Sequence, residues 1–242
     1  MAISKNQIQP TQEKWMTHTT TTLGGGGGSW ANTRNAVTAT TISNAPTAGA
    51  KNNVYSAKIA AFGNSFFYIY RTYSDFDLSS LPAGAIITAA TINLFGEAVS
   101  GVDQSDIIIV KGTYDSSLAV EDFDSIDNWS SGTATPTAYS SVLAAGSYDT
   151  SDYNSISLNS TAITDLQSAY EGGTRFKTVY MNHTHDHENS LPSSGQLVGL
   201  DYIGMQGISS QRPYLELTYL KSSGFLHLKN GTIKITDGTF KF

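Results

Sequence analysis

The chain has 242 residues, a net charge of −6, only 14% charged side chains, 22 glycines and no cysteine. This acidic balance argues against nucleic-acid binding, which needs a basic face to release counterions from phosphate, and the missing cysteines exclude disulfides and thiolate-bound metals. The length suits one large all-β domain, or one domain with extensions, and is enough to bury a self-sufficient core.

The N-terminal stretch MAISKNQIQPTQEKW has no apolar run of signal-peptide length. No segment approaches the roughly 18 apolar residues of a membrane span, so membrane insertion is not expected. With no visible export route, three settings remain: the cytoplasm, export by a partner, or release by cell lysis, as virion proteins are released. Residues 1–50 read as an irregular N-terminal arm. Within it Gly24, Gly25, Gly26, Gly27 and Gly28 carry too much backbone entropy to anchor a strand. They read either as a flexible linker spanning on the order of 12 Å or as close backbone packing at a subunit interface.

Residues 51–220 read as the main domain. Val54–Phe62 and Phe66–Asp75 are expected strands joined at Gly63-Asn64. In the second, Phe66, Tyr68, Tyr70, Thr72 and Ser74 alternate with Phe67, Ile69, Arg71, Tyr73 and Asp75, the period of sheet rather than helix. The turn Asp-Leu-Ser-Ser-Leu-Pro-Ala-Gly-Ala over 77–85 leads to a strand at Ile86–Phe95. There Pro82 fixes φ, and Gly84 permits a positive φ. Asp77 and Ser79 are placed to bond local amides, and Arg71 to pair with a carboxylate or with strand-end carbonyls.

Asp106–Tyr114 carries the run Ile107-Ile108-Ile109-Val110, which predicts a strand covered on both faces. Phe123, Ile126 and Trp129 are spaced for a helical turn over Glu121–Trp129. Ser160 is positioned to N-cap a helix with apolar positions Ile163, Leu166, Ala169 and Tyr170, stopped by Gly172-Gly173. Phe176–Asn182, Gln196–Ile203 and Pro213–Leu220 complete the strands.

Residues 221–242 stand apart. Asn230-Gly231 and Asp237-Gly238 are strong hairpin signals. They define a three-stranded meander with Leu226, Leu228, Ile233, Ile235, Phe240 and Phe242 on one face. So small a sheet needs a surface to cover. Lys221, Lys229, Lys234 and Lys241 against Asp237 give this tail +3, leaving −9 on the rest of a chain that totals −6. A basic tail on an acidic body favours docking to an acidic surface, including another copy.

The order Arg71…Phe76-Asp77-Leu78-Ser79-Ser80-Leu81-Pro82-Ala83-Gly84-Ala85-Ile86, then Ala89-Ala90-Thr91-Ile92-Asn93-Leu94, resembles the opening of the DNRLRE-like jelly-roll modules. The Trp129-Ser130-Ser131 loop, the helix at Ser160–Tyr170 and the strand Arg212-Pro213-Tyr214-Leu215-Glu216-Leu217-Thr218-Tyr219 are similar to later parts of that family. The likeness covers residues 50–220, outside both ends of the chain. It implies a jelly-roll β-sandwich with one short helix. It also implies a carbohydrate-binding or adhesive module of a microbial surface protein, or a domain of a bacteriophage structural protein.

Candidate chemistry centres on Asn182-His183-Thr184-His185-Asp186-His187-Glu188-Asn189. In a strand His183, His185 and His187 would face one way and suit a transition metal, held by one chain or on a trimer axis. Asn189, Ser190, Leu191 and Pro192 follow immediately, so the segment reads instead as an exposed polar loop. Asp103 with Asp106, the Asp122-Asp124-Asp127-Asn128 group and the Asp149-Asp152-Asn154 group offer oxygen ligands for Ca²⁺ or are solvated turns; none fits the helix-loop-helix calcium pattern. Trp30 and Trp129, with Trp15 and several tyrosines, are the aromatics available to stack on sugar rings or to fill the core. No Gly-x-Ser-x-Gly elbow, Walker loop or His-Glu-x-x-His occurs. No enzyme is expected, although the plentiful carboxylates leave a glycosidase pair open.

Two functions follow as expectations. The first is a virion structural protein of a tailed bacteriophage, as a head decoration, fibre or tail-associated subunit. It would be a homo-oligomer, trimer favoured, with the glycine-rich arm or the apolar face of the meander in the assembly contacts, and with other virion proteins and host polysaccharide as further partners. The second is an extracellular glycan-binding or adhesive module of a bacterial cell surface.

Overall fold

The computed structural model of the chain describes residues 2–22, 29–43, 51–61, 63–115, 117–129, 135–221, 227–229 and 232–234. Before the first helix come strands β1 (Ala2–Ile8) and β2 (Gln12–Thr22), then the short helix α1 (Trp30–Arg34). Strands β3 (Thr41–Ser43), β4 (Lys51–Ala61), β5 (Asn64–Asp77), β6 (Ile86–Ser100), β7 (Ile107–Lys111) and β8 (Tyr153–Ser157) lead to helix α2 (Ser160–Gly172). Then follow β9 (Arg175–Asn182), β10 (Gln196–Ile203), β11 (Tyr214–Lys221), β12 (His227–Lys229) and β13 (Thr232–Lys234). The fold is all-β and sandwich-like, with antiparallel pairing throughout its ladders.

Strand β6 joins the two layers. Its first part pairs with β11 and β8, and its last residues, from Gly96 to Ser100, pair with β10. From β10 the second layer runs through β4 and β5 to β2 and β3, while the far end of β5 pairs with β9, and β9 with β7. The principal core lies between the layers. Ile87, Ile92 and Leu94 of β6 and Leu215 and Leu217 of β11 meet Phe76, Ile109, Tyr180 and Leu200 of the other layer. Leu166 and Ala162 of α2 close this core.

The second layer is covered on its other face as well. Met16, Ile69, Tyr73, Ile108, Val110, Val179 and Met181 pack there beneath Trp30, Phe123 and Ile126. This explains the unbroken run Ile107–Val110: every residue of it is buried, because alternate side chains enter different cores. It also explains β5, where only the start alternates and Arg71 to Phe76 are all buried.

The N-terminal region departs from the expected irregular arm. β1 pairs with β11 over its whole length, and β2 with β5 from Gln12↔Asp75 to Thr22↔Ser65. Thr19 to Thr22 fall within that expected arm, but β-branched threonine suits a pleated, half-buried surface, and they form the end of β2. β1 lacks an apolar alternation because Ser4 and Asn6, on its less exposed side, are polar, while Ile3 lies on the open side. Gly24 to Gly28 lie outside the described residues.

The local signals fare well elsewhere. Gly84 takes φ 73, Asp77 Oδ1 accepts the Ser79 amide at 2.8 Å, and β10 spans the residues expected for it. The N-cap of α2 is Asn159 rather than Ser160, its side chain accepting the Ala162 amide at 3.0 Å; Gly173, at φ 62, ends the helix. Of the meander, β12 and β13 pair as a hairpin with Leu228 opposite Ile233. Leu226, Ile235, Phe240 and Phe242 lie outside the described residues.

Candidate functional site

The histidine-rich segment closes on itself directly after β9. Asn182 sets the turn: its Oδ1 accepts the His185 amide at 2.8 Å and its Nδ2 donates to the Gln104 carbonyl at 2.8 Å. His183–His187 then forms one π-helical turn, and the Glu188 amide returns to the His183 carbonyl at 2.9 Å. Asn189 follows at φ 56, a left-handed conformation that asparagine tolerates better than most residues.

A π-turn does not place alternate residues on one side, as a strand would. It stacks the rings of His183 and His187, with centroids 5.5 Å apart and planes 21° from parallel. Glu188 Oε1 lies 2.7 Å from His187 Nδ1 and 3.6 Å from His183 Nε2. Among the described residues these are the side chains whose ligand atoms gather closely enough to hold a metal ion. His185, expected in the same set, leaves it. Its Nδ1 faces the Ser190 carbonyl at 2.6 Å and its Nε2 faces Gln104 Oε1 at 3.1 Å. Burial lowers the pKa of His183 and of His185, and the neighbouring His187 ring lowers that of His183 further.

Behind this turn sits a buried charge network. Arg71, fully buried on β5, donates to both oxygens of Asp186 at 2.7 and 2.8 Å and to the carbonyls of Phe123 and Arg34. Arg34, at the end of α1, donates to the Asp186 carbonyl at 2.6 Å and the His187 carbonyl at 3.3 Å. Trp129 receives both guanidinium groups on its ring, at 4.3 and 4.5 Å from the centroid, and Arg71 also lies 4.3 Å from the ring of Phe123. Burial pushes Arg71 down, but Asp186 outweighs it and leaves its pKa raised. For Arg34, burial outweighs the pull of Asp186 and the pKa falls.

The tryptophans proposed as sugar platforms are therefore engaged by the protein's own side chains. Trp30 is buried between Phe67 and His185, and Trp129 is half-buried in the arginine stack. An open aromatic surface occurs elsewhere, on the outer face of the β1–β11–β6–β8 layer. Tyr153 stacks edge-on against Phe95 and Tyr214, with centroids 5.4 and 5.1 Å apart. Beside it is a cleft of about 500 Å³ lined by Gln7, Gln9, Tyr153, Ser209, Arg212 and Tyr214, among others. A larger cleft of about 670 Å³ includes Lys111, Asp165, Arg175 and Lys177, but Lys111 is paired with Asp165 and Arg175 with Asp75.

The acidic groups considered for calcium serve local structure. Asp122 caps the Ala119 amide, Asp127 accepts from Thr137, Asp149 accepts from Ser151, and Asp106 accepts the Ala145 amide. The expectation that Arg71 pairs with a carboxylate holds, the carboxylate being Asp186; what sequence reading missed is which carboxylate that is, the part played by Arg34 and Trp129 around it, and Glu188 as the third member of the histidine group. One signal for the network was present: Arg71 interrupts the otherwise apolar face Phe67, Ile69, Tyr73 of β5. No family model matches the chain, and no curated protein matches it.

Proposed function

We propose that this protein is a structural subunit of an assembled particle, a tailed-bacteriophage virion, in which the C-terminal hairpin docks on a neighbouring copy. The observation that carries this reading is the separateness of β12 and β13: they form a sheet of their own, apart from the eleven-stranded one. Two three-residue strands do not hold a fold alone in water, and the apolar side of this segment needs a partner. The +3 charge of residues 221–242 against −9 on the rest of the chain, with Lys229 and Lys234 on the hairpin itself, favours the acidic body of a second copy. The interior supports a structural role too. The charges within it are spent on locking strands and loops together, and the acidic clusters cap turns.

The test is the mass of the full chain in solution. The wild type is expected as an oligomer, trimer favoured, and L228D/I233D as a monomer with unchanged circular dichroism from the body. A monomeric wild type at high concentration would overturn the proposal.

A second reading, compatible with the first, is contact with host polysaccharide. It is supported by the cleft beside Tyr153 and Tyr214, where aromatic rings adjoin two glutamine side chains and an arginine, groups that stack on sugars and bond their hydroxyls. Saturable binding on a glycan array, lost in Y214A, would support it; an array with no hits would end it.

A further inference from the structure

We propose that His183, His187 and Glu188 form a structural site for a divalent transition metal of the zinc class. The donor set is two imidazoles and one carboxylate, with one atom from each residue lying within 4.8 Å of the others. Borderline cations such as Zn²⁺ take this nitrogen and oxygen set, leaving a fourth position for water.

His187 is almost fully buried, and its Nδ1 faces Glu188 Oε1 at 2.7 Å, with His183 Nε2 3.6 Å from the same oxygen. A cation held by all three groups therefore sits on the Nδ1 side of the His187 ring, in place of the proton shared there with Glu188.

The backbone that carries these groups is held before any metal arrives. Arg34 fixes the carbonyls of Asp186 and His187, Asn182 fixes the His185 amide, and Glu188 closes the turn onto His183. The charge of Asp186, which lies in the same turn, is already taken by Arg71, so it does not compete for the cation. His183 and Glu188 reach solvent, with side chains 27% and 54% exposed, which gives an ion its path of entry. A metal here would clamp the first residue of the turn to the residue after its last. It would act as a staple between β9 and the approach to β10, adding stability by binding the folded form alone.

The test uses the full chain, stripped with chelator. Zn²⁺ is titrated by calorimetry, and Co²⁺ by its visible absorption, which is intense only at tetrahedral sites with protein ligands. The expected result is one ion per chain at micromolar metal, a zinc-dependent rise in melting temperature, and at least a tenfold weaker affinity in each of H183Q and E188Q. Both substitutions fall on solvent-reaching side chains, and their circular dichroism should match the wild type. No saturable binding by the wild type, or undiminished binding by the H183Q/E188Q double variant, would overturn the proposal.

Discussion

Arg71 and Asp186, 115 residues apart in sequence, meet as a two-pronged ion pair with both side chains out of solvent. The pair ties the middle of β5 to the turn after β9. The remaining guanidinium donors reach the Arg34 and Phe123 carbonyls, so one side chain gathers four segments of the chain. Removing one partner strands the other charge in the interior, which typically costs about 3–5 kcal/mol. D186N should lose stability on that scale in urea denaturation. R71L/D186L should lose much less than the sum of its single changes, because neither charge is then left alone.

Glu13 gives a stability that depends on pH. Burial raises its pKa from 4.5 to about 7, against the opposing bonds from the Met205 amide, Tyr202 and Ser74. The folded chain therefore binds this proton more tightly than the unfolded chain. The resulting stabilisation is complete below pH 4.5 and is lost as the pH rises through 7, a swing of about 3 kcal/mol. Melting temperature measured across that window should fall for the wild type. E13Q, neutral throughout, should flatten the fall and exceed the wild type at pH 8.

The cap of α2 separates two adjacent residues. N159A removes the acceptor for the Ala162 amide and the donor to the Ala138 carbonyl and should cost about 1 kcal/mol or more. S160A, one residue on, should be nearly neutral. Equal effects of the two on thermal unfolding would contradict this assignment.

Gly199 sits at φ 154 in the centre of β10, where an added Cβ would overlap the Val54 carbonyl oxygen and the Tyr55 backbone. G199A should therefore cost about 3 kcal/mol or more, from strain and overpacking together. A melting temperature unchanged from the wild type would show that the β4–β10 ladder gives way easily.

Much of the fold was legible because it is written locally. The apolar run of β7, the proline-glycine turn before β6 and the glycine stop of α2 each act through neighbouring residues. β1 and β2 were not legible, since what makes them strands is a partner far along the chain: Leu215–Lys221 for one and Ser65–Asp75 for the other. The histidine group was half legible. The sequence marks its residues, but the choice between strand and π-turn decides which of them meet. That choice rests on Asn182, Gln104 and Arg34, which belong to three separate segments. Trp129 stood open between sugar platform and core filler because nothing nearby in sequence announces the two arginines stacked on it.

The pairing of Ala2 with Lys221 has a mechanical meaning. The first strand and the last strand of the main sheet run antiparallel, with these two residues side by side at one corner of the body. A pull applied between them would open β1 from β11 one pair at a time, like a zip, rather than shearing all their hydrogen bonds together. Anything tethered through the segment after Lys221 loads that same corner, so the body resists tension better when its N-terminal strand is left free of strain.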